Sequence, residues 1–227
     1  MGAIDIIRRA ARSLGGADRT HVFKGSEAYW ESRYQSGGNS GPGSYGELAS
    51  FKADVLNAFI SSEGVESVLE FGCGDGHQLS LACYPRYLGI DVSRFAIARC
   101  KKLFSEDSSK EFKTVEEYEG ETADVVLSLD VIYHLIEDQV FDRYMANVFD
   151  SALKWVVIYS SNFEGADEQH AEHVRHRKFA DWIAINRPEW FCVKMVKNPF
   201  PFAGDIKRSS HADFYFFGRR SSAALGR

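Results

Sequence analysis

A glycine-rich turn after a short apolar strand constrains the fold of this chain more than any other feature. The run 65–69 leads into Glu70-Phe71-Gly72-Cys73-Gly74-Asp75-Gly76, and a second strand-like run ends on Asp91. Glycine allows a backbone to turn sharply and to approach a bound molecule closely. A strand, a glycine turn and a second strand with a terminal acid form the pattern with which α/β sheets hold an adenosine-type ligand at the carboxyl ends of their strands.

The spacing and the charge of this turn indicate which ligand it holds. A dinucleotide site has the pattern G-x-G-x-x-G, with bare amides that face a pyrophosphate, whereas the glycines here alternate as Gly72, Gly74 and Gly76. The acids Glu70 and Asp75 would repel a pyrophosphate and attract a positively charged ligand. S-adenosylmethionine carries an ammonium and a sulfonium group, so we predict it as the cofactor.

The glycine turn and Asp91 together resemble the motifs of class I S-adenosylmethionine-dependent methyltransferases, in which E/D-x-G-x-G-x-G follows a strand. The resemblance covers about residues 65–160 well and the remainder loosely. It implies a Rossmann-like methyltransferase fold in which Asp91 accepts hydrogen bonds from two ribose hydroxyls and Glu116 contacts the adenine. The cofactor contacts that it implies are Glu70, Gly72, Cys73, Gly74, Asp75, Gly76, Asp91, Val92, Glu116 and Leu129.

The rest of the chain alternates strand and helix patterns, which indicates a doubly wound, mainly parallel α/β sheet of seven strands. We predict strands near 67–71, 86–90, 111–115, 123–129, 154–160, 191–196 and 213–219. Helices are predicted near 47–61, 77–83, 93–104, 137–150 and 171–186. Only a loop separates the last two strands, so we predict an antiparallel final strand, which the resemblance also implies.

The N-terminal part of the chain predicts a leader and a cap. Residues 1–26 form a basic leader with apolar residues at helical spacing, and 27–227 form a single domain whose segment 27–62 is the cap. The loop Gly37–Ser44 is rich in glycine and serine, and we predict that it is a lid over the cofactor. The resemblance implies a contact from this region to the methionine part of the cofactor, for which the candidates are Tyr29, Arg33 and Tyr34.

The fourth predicted strand ends in Asp130, and the turn after it carries Tyr133 and His134. The resemblance implies that Asp130 lies near the transferred methyl group and that the turn borders the acceptor pocket, with Tyr133 as a wall. A hydroxyl acceptor benefits from a base, and the intrinsic pKa of histidine suits that role. We predict His134 and Asp130 as catalytic residues, while a structural role for His134, bonded to a loop carbonyl, is equally open.

A histidine-rich segment follows the fifth predicted strand. His170, His173 and His176 recur at a spacing of three, but the first and third diverge on a helix and the neighbouring residues are cationic, so we predict no metal site. A basic, hydrogen-bonding face formed by His173, Arg175 and His176 fits an anionic or polyhydroxyl acceptor better. A solvated helix face is an equally good interpretation of each residue singly.

Composition limits the class of protein and its compartment. The 227 residues carry a formal net charge of −5, which argues against a nucleic-acid partner. No apolar run approaches the roughly 20 residues that a membrane span needs, and no secretory signal is visible. The four cysteines lack metal-type pairing, so we predict reduced, buried thiols in a cytoplasmic protein.

These features together predict an S-adenosylmethionine-dependent methyltransferase that acts on a hydroxyl of a sugar, glycan or small metabolite. Ser160 and Asn162, at the end of the fifth strand, would bond acceptor hydroxyls. The turn after the fourth strand lacks the Pro-Pro-Tyr/Phe motif with which related enzymes grip amine or amide nitrogens. Methylation of a protein or RNA through the basic patch at 173–178 is the second interpretation, and a non-catalytic cofactor-binding subunit is the third. The sequence does not indicate an oligomeric state.

Overall fold

The computed structural model describes residues 23–165 and 171–219. Five helices of eight or more residues lie within them: α1 Ser26–Gln35, α2 Gly46–Ser62, α3 Arg94–Leu103, α4 Asp138–Asp150 and α5 Phe179–Asn186. The strands are β1 Ser67–Phe71, β2 Arg86–Asp91, β3 Lys110–Thr114, β4 Ala123–Leu129, β5 Ala152–Ser160, β6 Trp190–Val196 and β7 Asp213–Arg219. The leader helix predicted within 1–22, as well as His170, lies outside the described residues.

The seven strands form one sheet in the order β3-β2-β1-β4-β5-β7-β6. The strands β1 to β5 pair in parallel, and β7 lies antiparallel between β5 and β6. The predicted fold class and the antiparallel final strand are therefore confirmed. Every residue of β4 is buried, as expected for a central parallel strand that is covered on both faces.

Helices cover both faces of the sheet and create two apolar cores. On one face, Leu56 and Phe59 of α2 and Ile97 of α3 pack with the buried side chains of β1, β4 and β7. On the other face, Phe149 of α4 and Phe179 of α5 pack against β5 and β7. Burial of a large apolar side chain contributes about 1.5–3 kcal/mol, so the two cores hold the strand ends in fixed positions for the site.

One predicted helix, over 77–83, is absent, and another, over 171–186, is shorter than predicted. Residues 77–83 form turns with one short 3₁₀ segment, Leu79–Leu81, because Asn57 of α2 bonds the carbonyl of Leu81 and the amide of Cys83 and ends any helix there. The helix predicted over 171–186 begins only at Phe179. Backbone bonds to distant residues hold 171–178 in an irregular path, such as that from the Arg175 amide to the Tyr133 carbonyl.

The four cysteines differ in their exposure. Cys73 and Cys100 are buried as predicted, but Cys83 and Cys192 are exposed, because the first lies in a surface loop and the second on the edge strand β6. Within the described residues, the helices are too short or too polar for any of them to cross a membrane.

Candidate active site

A cavity opens at the carboxyl ends of β1, β2 and β4, beneath α1 and the loop that follows it. It contains about 850 Å³ of empty space, including its solvent-facing mouth. The location is the edge of a doubly wound sheet where ligands bind. The glycine turn forms its floor.

The glycine turn needs its glycines for close approach and for backbone conformation. Gly72 and Gly74 have φ angles of +82° and +60°, a region that other residues rarely adopt. A Cβ on Gly72 would lie 2.3 Å from Val131 Cγ2, and a Cβ on Gly74 would lie 2.3 Å from Ser40 Oγ. The turn is thus packed tightly between the loop after β4 and the cap. Gly76 is not among the residues that line the cavity.

Asp91 lies at the cavity with both carboxylate oxygens already engaged. Oδ2 accepts from the Gly74 amide at 2.9 Å, and Oδ1 accepts from the Ser93 amide at 2.9 Å. Burial raises the pKa of Asp91 to about 6, although these two bonds act in the opposite direction. Each oxygen keeps a further lone pair, so the carboxylate can still accept bonds from a diol.

Glu70 is the second buried acid of the cavity. It accepts a hydrogen bond of 2.6 Å from the hydroxyl of Tyr87. Burial raises the pKa of Glu70 to about 7, even though this bond and the Lys52 ammonium lower it. The floor of the cavity therefore contains two carboxyl groups whose ionised forms a cationic ligand would favour.

Asp75 does not line the cavity. Its carboxylate accepts from the amide of Ser40 at 2.9 Å and from the hydroxyl of Tyr45 at 2.7 Å, and Ser40 Oγ in turn accepts from the Asp75 amide. Burial alone would raise the pKa of Asp75, but these bonds and that from the His77 amide hold it below its usual value. The acid that the sequence assigns to the cofactor thus fastens the predicted lid loop to the glycine turn.

The cap contributes two aromatic side chains to the cavity, Trp30 and Tyr34. Tyr34 was predicted, whereas Trp30 was missed. The other two candidates lie elsewhere: Tyr29 stacks on His173 with ring centroids 4.3 Å apart, and Arg33 Nε donates to the carbonyl of Asn39 at 2.6 Å. The helix register decides this outcome, because only one side of α1 faces the cavity.

Apolar residues line the side of the cavity next to Asp91. Val92, Val115 and Leu129 are among them, and the first and last were predicted. Glu116 is exposed and does not line the cavity, because the short 3₁₀ turn Val115–Glu117 directs its first residue inward. A flat apolar slot beside a carboxylate suits an adenine ring attached to a ribose.

A buried ion pair lies beside the end of β4, and only its aspartate, Asp130, was predicted. Lys52 Nζ, on α2, donates to Asp130 Oδ2 at 2.5 Å, and the Tyr133 hydroxyl donates to Asp130 Oδ1 at 2.7 Å. The Lys52 side chain is 1% exposed. Asp130 has a φ of +59°, the one positive value of a non-glycine residue in 23–165 and 171–219. A strained backbone held by a buried pair is typical of a functional position.

His134 lines the cavity and is held by the segment after β5. Its Nδ1 lies 2.9 Å from the carbonyl oxygen of His173. A carbonyl only accepts, so Nδ1 carries the proton and Nε2 carries the lone pair. Burial lowers the pKa of His134 to about 4, so the ring is neutral at physiological pH. Its face meets the edge of Trp30 at 4.9 Å between centroids.

Comparisons with known proteins agree with this geometry. Residues 69–154 match the family model described as a methyltransferase domain. The match identifies this part of the chain as a methyltransferase domain, for which S-adenosylmethionine is the implied cofactor. No curated protein matches the sequence significantly.

Solved structures of other methyltransferases share the fold. The N-methyltransferase NodS from Bradyrhizobium japonicum WM9, in complex with S-adenosyl-L-homocysteine, aligns with a TM-score of 0.66 and 18% identity over 87% of this chain and 100% of that chain. Magnesium protoporphyrin IX methyltransferase from Synechocystis PCC 6803 with bound S-adenosylmethionine aligns with a TM-score of 0.61 and 14% identity over 86% and 97%. The methyltransferase domain of bacterial CtHen1 aligns with a TM-score of 0.57 and 18% identity over 77% and 100%.

The cavity of this methyltransferase fits its cofactor, S-adenosylmethionine. The buried Oε1 of Gln78, which lines the cavity, has no hydrogen-bond partner among the described residues, as expected of an acceptor that waits for a donor such as an ammonium. Asp91 offers lone pairs for a ribose diol, and Val92 and Val115 form the apolar slot. When bound, the cofactor supplies an electrophilic methyl group on a sulfonium.

The five residues predicted after β5 do not line the cavity. Ser160 is fully buried, Asn162 Oδ1 accepts from the Ala180 amide at 3.1 Å, and His176 Nδ1 lies 2.7 Å from Ser161 Oγ. Arg175 donates to the carbonyl of Ile136 and to Asp138, while His173 contributes its carbonyl to His134. The predicted basic face is therefore an attachment between this segment and the start of α4. In the described residues, no group of three or more His, Cys, Asp and Glu side chains is arranged to hold a metal ion.

Proposed function

We propose that this methyltransferase transfers a methyl group to a hydroxyl of a small acceptor, such as a sugar or another small metabolite, with His134 as the general base. The observation that carries the proposal is the orientation of the imidazole. Nδ1–H is held by the His173 carbonyl, and no described residue bonds Nε2 of this cavity-lining ring. A fixed tautomer with a free lone pair is what proton removal requires.

The chemical step balances with the residues at hand. The acceptor oxygen forms a bond to the methyl carbon as the bond from that carbon to sulfur breaks, and its electron pair stays on sulfur. The hydroxyl proton moves to His134 Nε2. In-line alignment supplies most of the acceleration, so the packed glycine turn and the cap act mainly by orienting the two reactants.

Asp130 supports this step without taking the proton. Its two oxygens are engaged by Lys52 and Tyr133, so its negative charge is compensated before an acceptor arrives. The second interpretation, methylation of a protein or RNA through the basic patch at 173–178, is less favoured because Arg175 and Arg177 are both paired with Asp138.

The test is turnover of S-adenosylmethionine with a panel of sugars, glycans and small metabolites that carry hydroxyl, amine or thiol groups. His134→Ala should lower kcat by ~10²–10⁴-fold, the range for general acid–base catalysis, and should leave the affinity for S-adenosylhomocysteine nearly unchanged. For the wild-type enzyme, kcat/KM should fall as the pH decreases through about 4, where His134 becomes protonated, and the variant should lack that decrease.

His173→Ala is the matched control for this experiment. It removes a ring that stacks on His134 at 5.4 Å but keeps the backbone carbonyl that orients the imidazole. We expect a loss of less than about tenfold from it. Methylation of amines or thiols but of no hydroxyl, or wild-type turnover by His134→Ala, would contradict the proposal.

A further inference from the structure

The wall of the cavity beyond Asp130 is aromatic and apolar. Trp30 and His134 line it edge to face, with an interplanar angle of 74°, and Val131 and Leu135 complete the surface. This surface differs from the cofactor end, where buried carboxyl groups and backbone amides dominate. An acceptor bound against this surface would contact aromatic rings and methyl groups.

The orientation of Trp30 is fixed by a set of packed rings. His134 stacks on His173 with an interplanar angle of 14°, and His173 stacks on Tyr29 with an angle of 12°. The rings of Trp30 and Tyr29 are nearly perpendicular, with an interplanar angle of 88° and ring centroids 5.4 Å apart. A side chain held on several sides loses little freedom when a ligand stacks on it, so the platform is preorganised for a flat partner.

Polar groups at this end are few. Ser26 and Glu27 also line the cavity, but Ser26 Oγ donates to Glu137 and accepts from the Ile136 amide, and Glu27 pairs with Arg143. A polyhydroxyl acceptor would leave several of its hydroxyls desolvated without partners, which is unfavourable for each of them. An acceptor with one hydroxyl needs only the free nitrogen of His134.

The charged residues that line the cavity disfavour anionic acceptors. Its lining contains the acids Glu27, Glu70, Asp91 and Asp130, and Lys52 is the one basic side chain among its described lining residues apart from the neutral His134. Lys52 is paired with Asp130. A phosphorylated or carboxylated acceptor would therefore find no unpaired basic side chain among the described lining residues.

We infer that the acceptor is an aromatic ring that carries a hydroxyl, stacked against Trp30 with its oxygen at His134 Nε2. The inference rests on the proposed function, which it narrows from hydroxyls in general to phenolic ones. Trp30 is the residue that determines this specificity.

The strength of the base agrees with this class of acceptor. His134 has its pKa lowered to about 4 by burial, so it removes protons weakly. A phenol such as the tyrosine side chain has a pKa of about 10, whereas the pKa of water, which resembles an aliphatic alcohol in this respect, is several units higher. Proton transfer from a phenol to His134 is therefore several orders of magnitude less unfavourable.

Binding provides the direct test, because it does not require turnover. We expect 2-naphthol to bind the complex of the enzyme with S-adenosylhomocysteine in a calorimetric titration. Trp30→Leu keeps apolar volume but removes the ring, and it should weaken binding about tenfold. Trp30→Phe keeps a ring and should remain within about threefold of the wild type. Absence of 2-naphthol binding, or equal binding by the Trp30→Leu variant, overturns the inference.

Turnover separates this inference from the proposal on which it rests. Phenol and 2-naphthol are compared with methyl glucoside, glycerol and benzylamine as acceptors, and each product is identified as a methyl ether or a methylated amine by mass spectrometry. Ethers of the phenols support both ideas. Ethers of methyl glucoside or glycerol alone, dependent on His134, overturn the aromatic acceptor and keep the proposed function. Methylated amines with no ether at all overturn the proposed function.

Discussion

The turn after β1 and the segment after β5 both follow the carboxyl end of a strand, and the sequence assigns ligand contacts to both. In the first, Gly72 and Gly74 line the cavity together with Asp91 of the neighbouring strand. In the second, none of the five predicted residues lines the cavity. The role of the first turn is encoded in backbone conformation and a neighbouring acid, which are local properties. The role of the second depends on which distant groups its long side chains reach.

We expect residues 171–178, after β5, to stabilise the protein rather than to bind a ligand, and the largest expected effect follows from this. Arg177 donates to the carbonyls of Leu135 and Ile136 and to Asp138, and its guanidinium lies 4.5 Å from the centre of the Phe141 ring. Arg177→Met should lower the free energy of unfolding by about 3 kcal/mol, since a bond to a charged donor contributes ~1.5–3 kcal/mol and the buried Leu135 carbonyl is left without its donor. Urea unfolding measures this loss.

Arg175 is the matched control for Arg177. It reaches the same carbonyl of Ile136 and the same Asp138, but its side chain is 42% exposed, against 7% for Arg177. Arg175→Met should lower the free energy of unfolding by less than about 1 kcal/mol, as for exposed ion pairs. Both variants should bind S-adenosylhomocysteine with wild-type affinity. A stable Arg175→Met enzyme with a strongly raised KM for its acceptor would restore the predicted basic face.

For the turn after β1, we expect a substitution to affect cofactor binding more than the free energy of unfolding. Asp91→Asn should weaken binding of S-adenosylmethionine by about 2 kcal/mol, or roughly 30-fold, because bonds to a charged acceptor are lost. The free energy of unfolding without cofactor should fall by less than this, since the neutral amide avoids the desolvation of a buried carboxylate, while one of the two backbone amides that bond Asp91 loses its acceptor. Calorimetric titration and urea unfolding of the same variant give both quantities.

Asp124 provides the corresponding control at the opposite end of the sheet. It is also buried, and it accepts from the Glu66 amide and pairs with Lys154. Asp124→Asn should lower stability and leave cofactor affinity unchanged. If the two aspartate variants bind the cofactor equally well, Asp91 does not contact the ribose.

Most of the fold could be predicted from the sequence because its signals are local. Apolar runs and turn residues located all seven strands to within two residues at each end, and the final antiparallel strand followed from the absence of a helix before it. The two incorrect helices share one cause. In 77–83 and 171–178, side chains of residues far along the chain, such as Asn57, determine the backbone path, and no local pattern records them.

The site was predictable where backbone and strand ends define it. The motif resemblance implied Asp91, Val92 and Leu129 at the strand ends, and all three line the cavity, as does His134 of the turn after β4. Lys52 and Trp30 were missed, because a lysine and a tryptophan on amphipathic helices usually lie at the surface or in the core. The amphipathic pattern of α2 does suggest Lys52, since a lysine on the buried side of a helix needs a buried partner.

The pH dependence of cofactor binding is the smallest effect and the one that compares the two ends of the cavity most directly. Burial raises the pKa of Glu70 to about 7 and that of Asp91 to about 6, above unfolded values of roughly 4. Their contribution to stability is therefore complete at low pH and is lost as the pH rises through 6–7. A cationic cofactor favours the ionised forms, so its affinity should increase with pH over the same range, by at most about tenfold per unit for each group.

His134 responds in the opposite direction. Its folded pKa of about 4 lies below the ordinary value of 6.5. The contribution of His134 to the free energy of unfolding is therefore lost as the pH falls from 6.5 towards 4. Titrations of S-adenosylmethionine from pH 5.5 to 7.5 should show an affinity that rises with pH and protons that are released on binding. S-adenosylhomocysteine, which lacks the sulfonium charge, should show a weaker dependence. Glu70→Gln should flatten the rise near pH 7, while His134→Ala should keep it. An affinity for S-adenosylmethionine that is independent of pH would mean that the buried acids do not sense the charge of the cofactor.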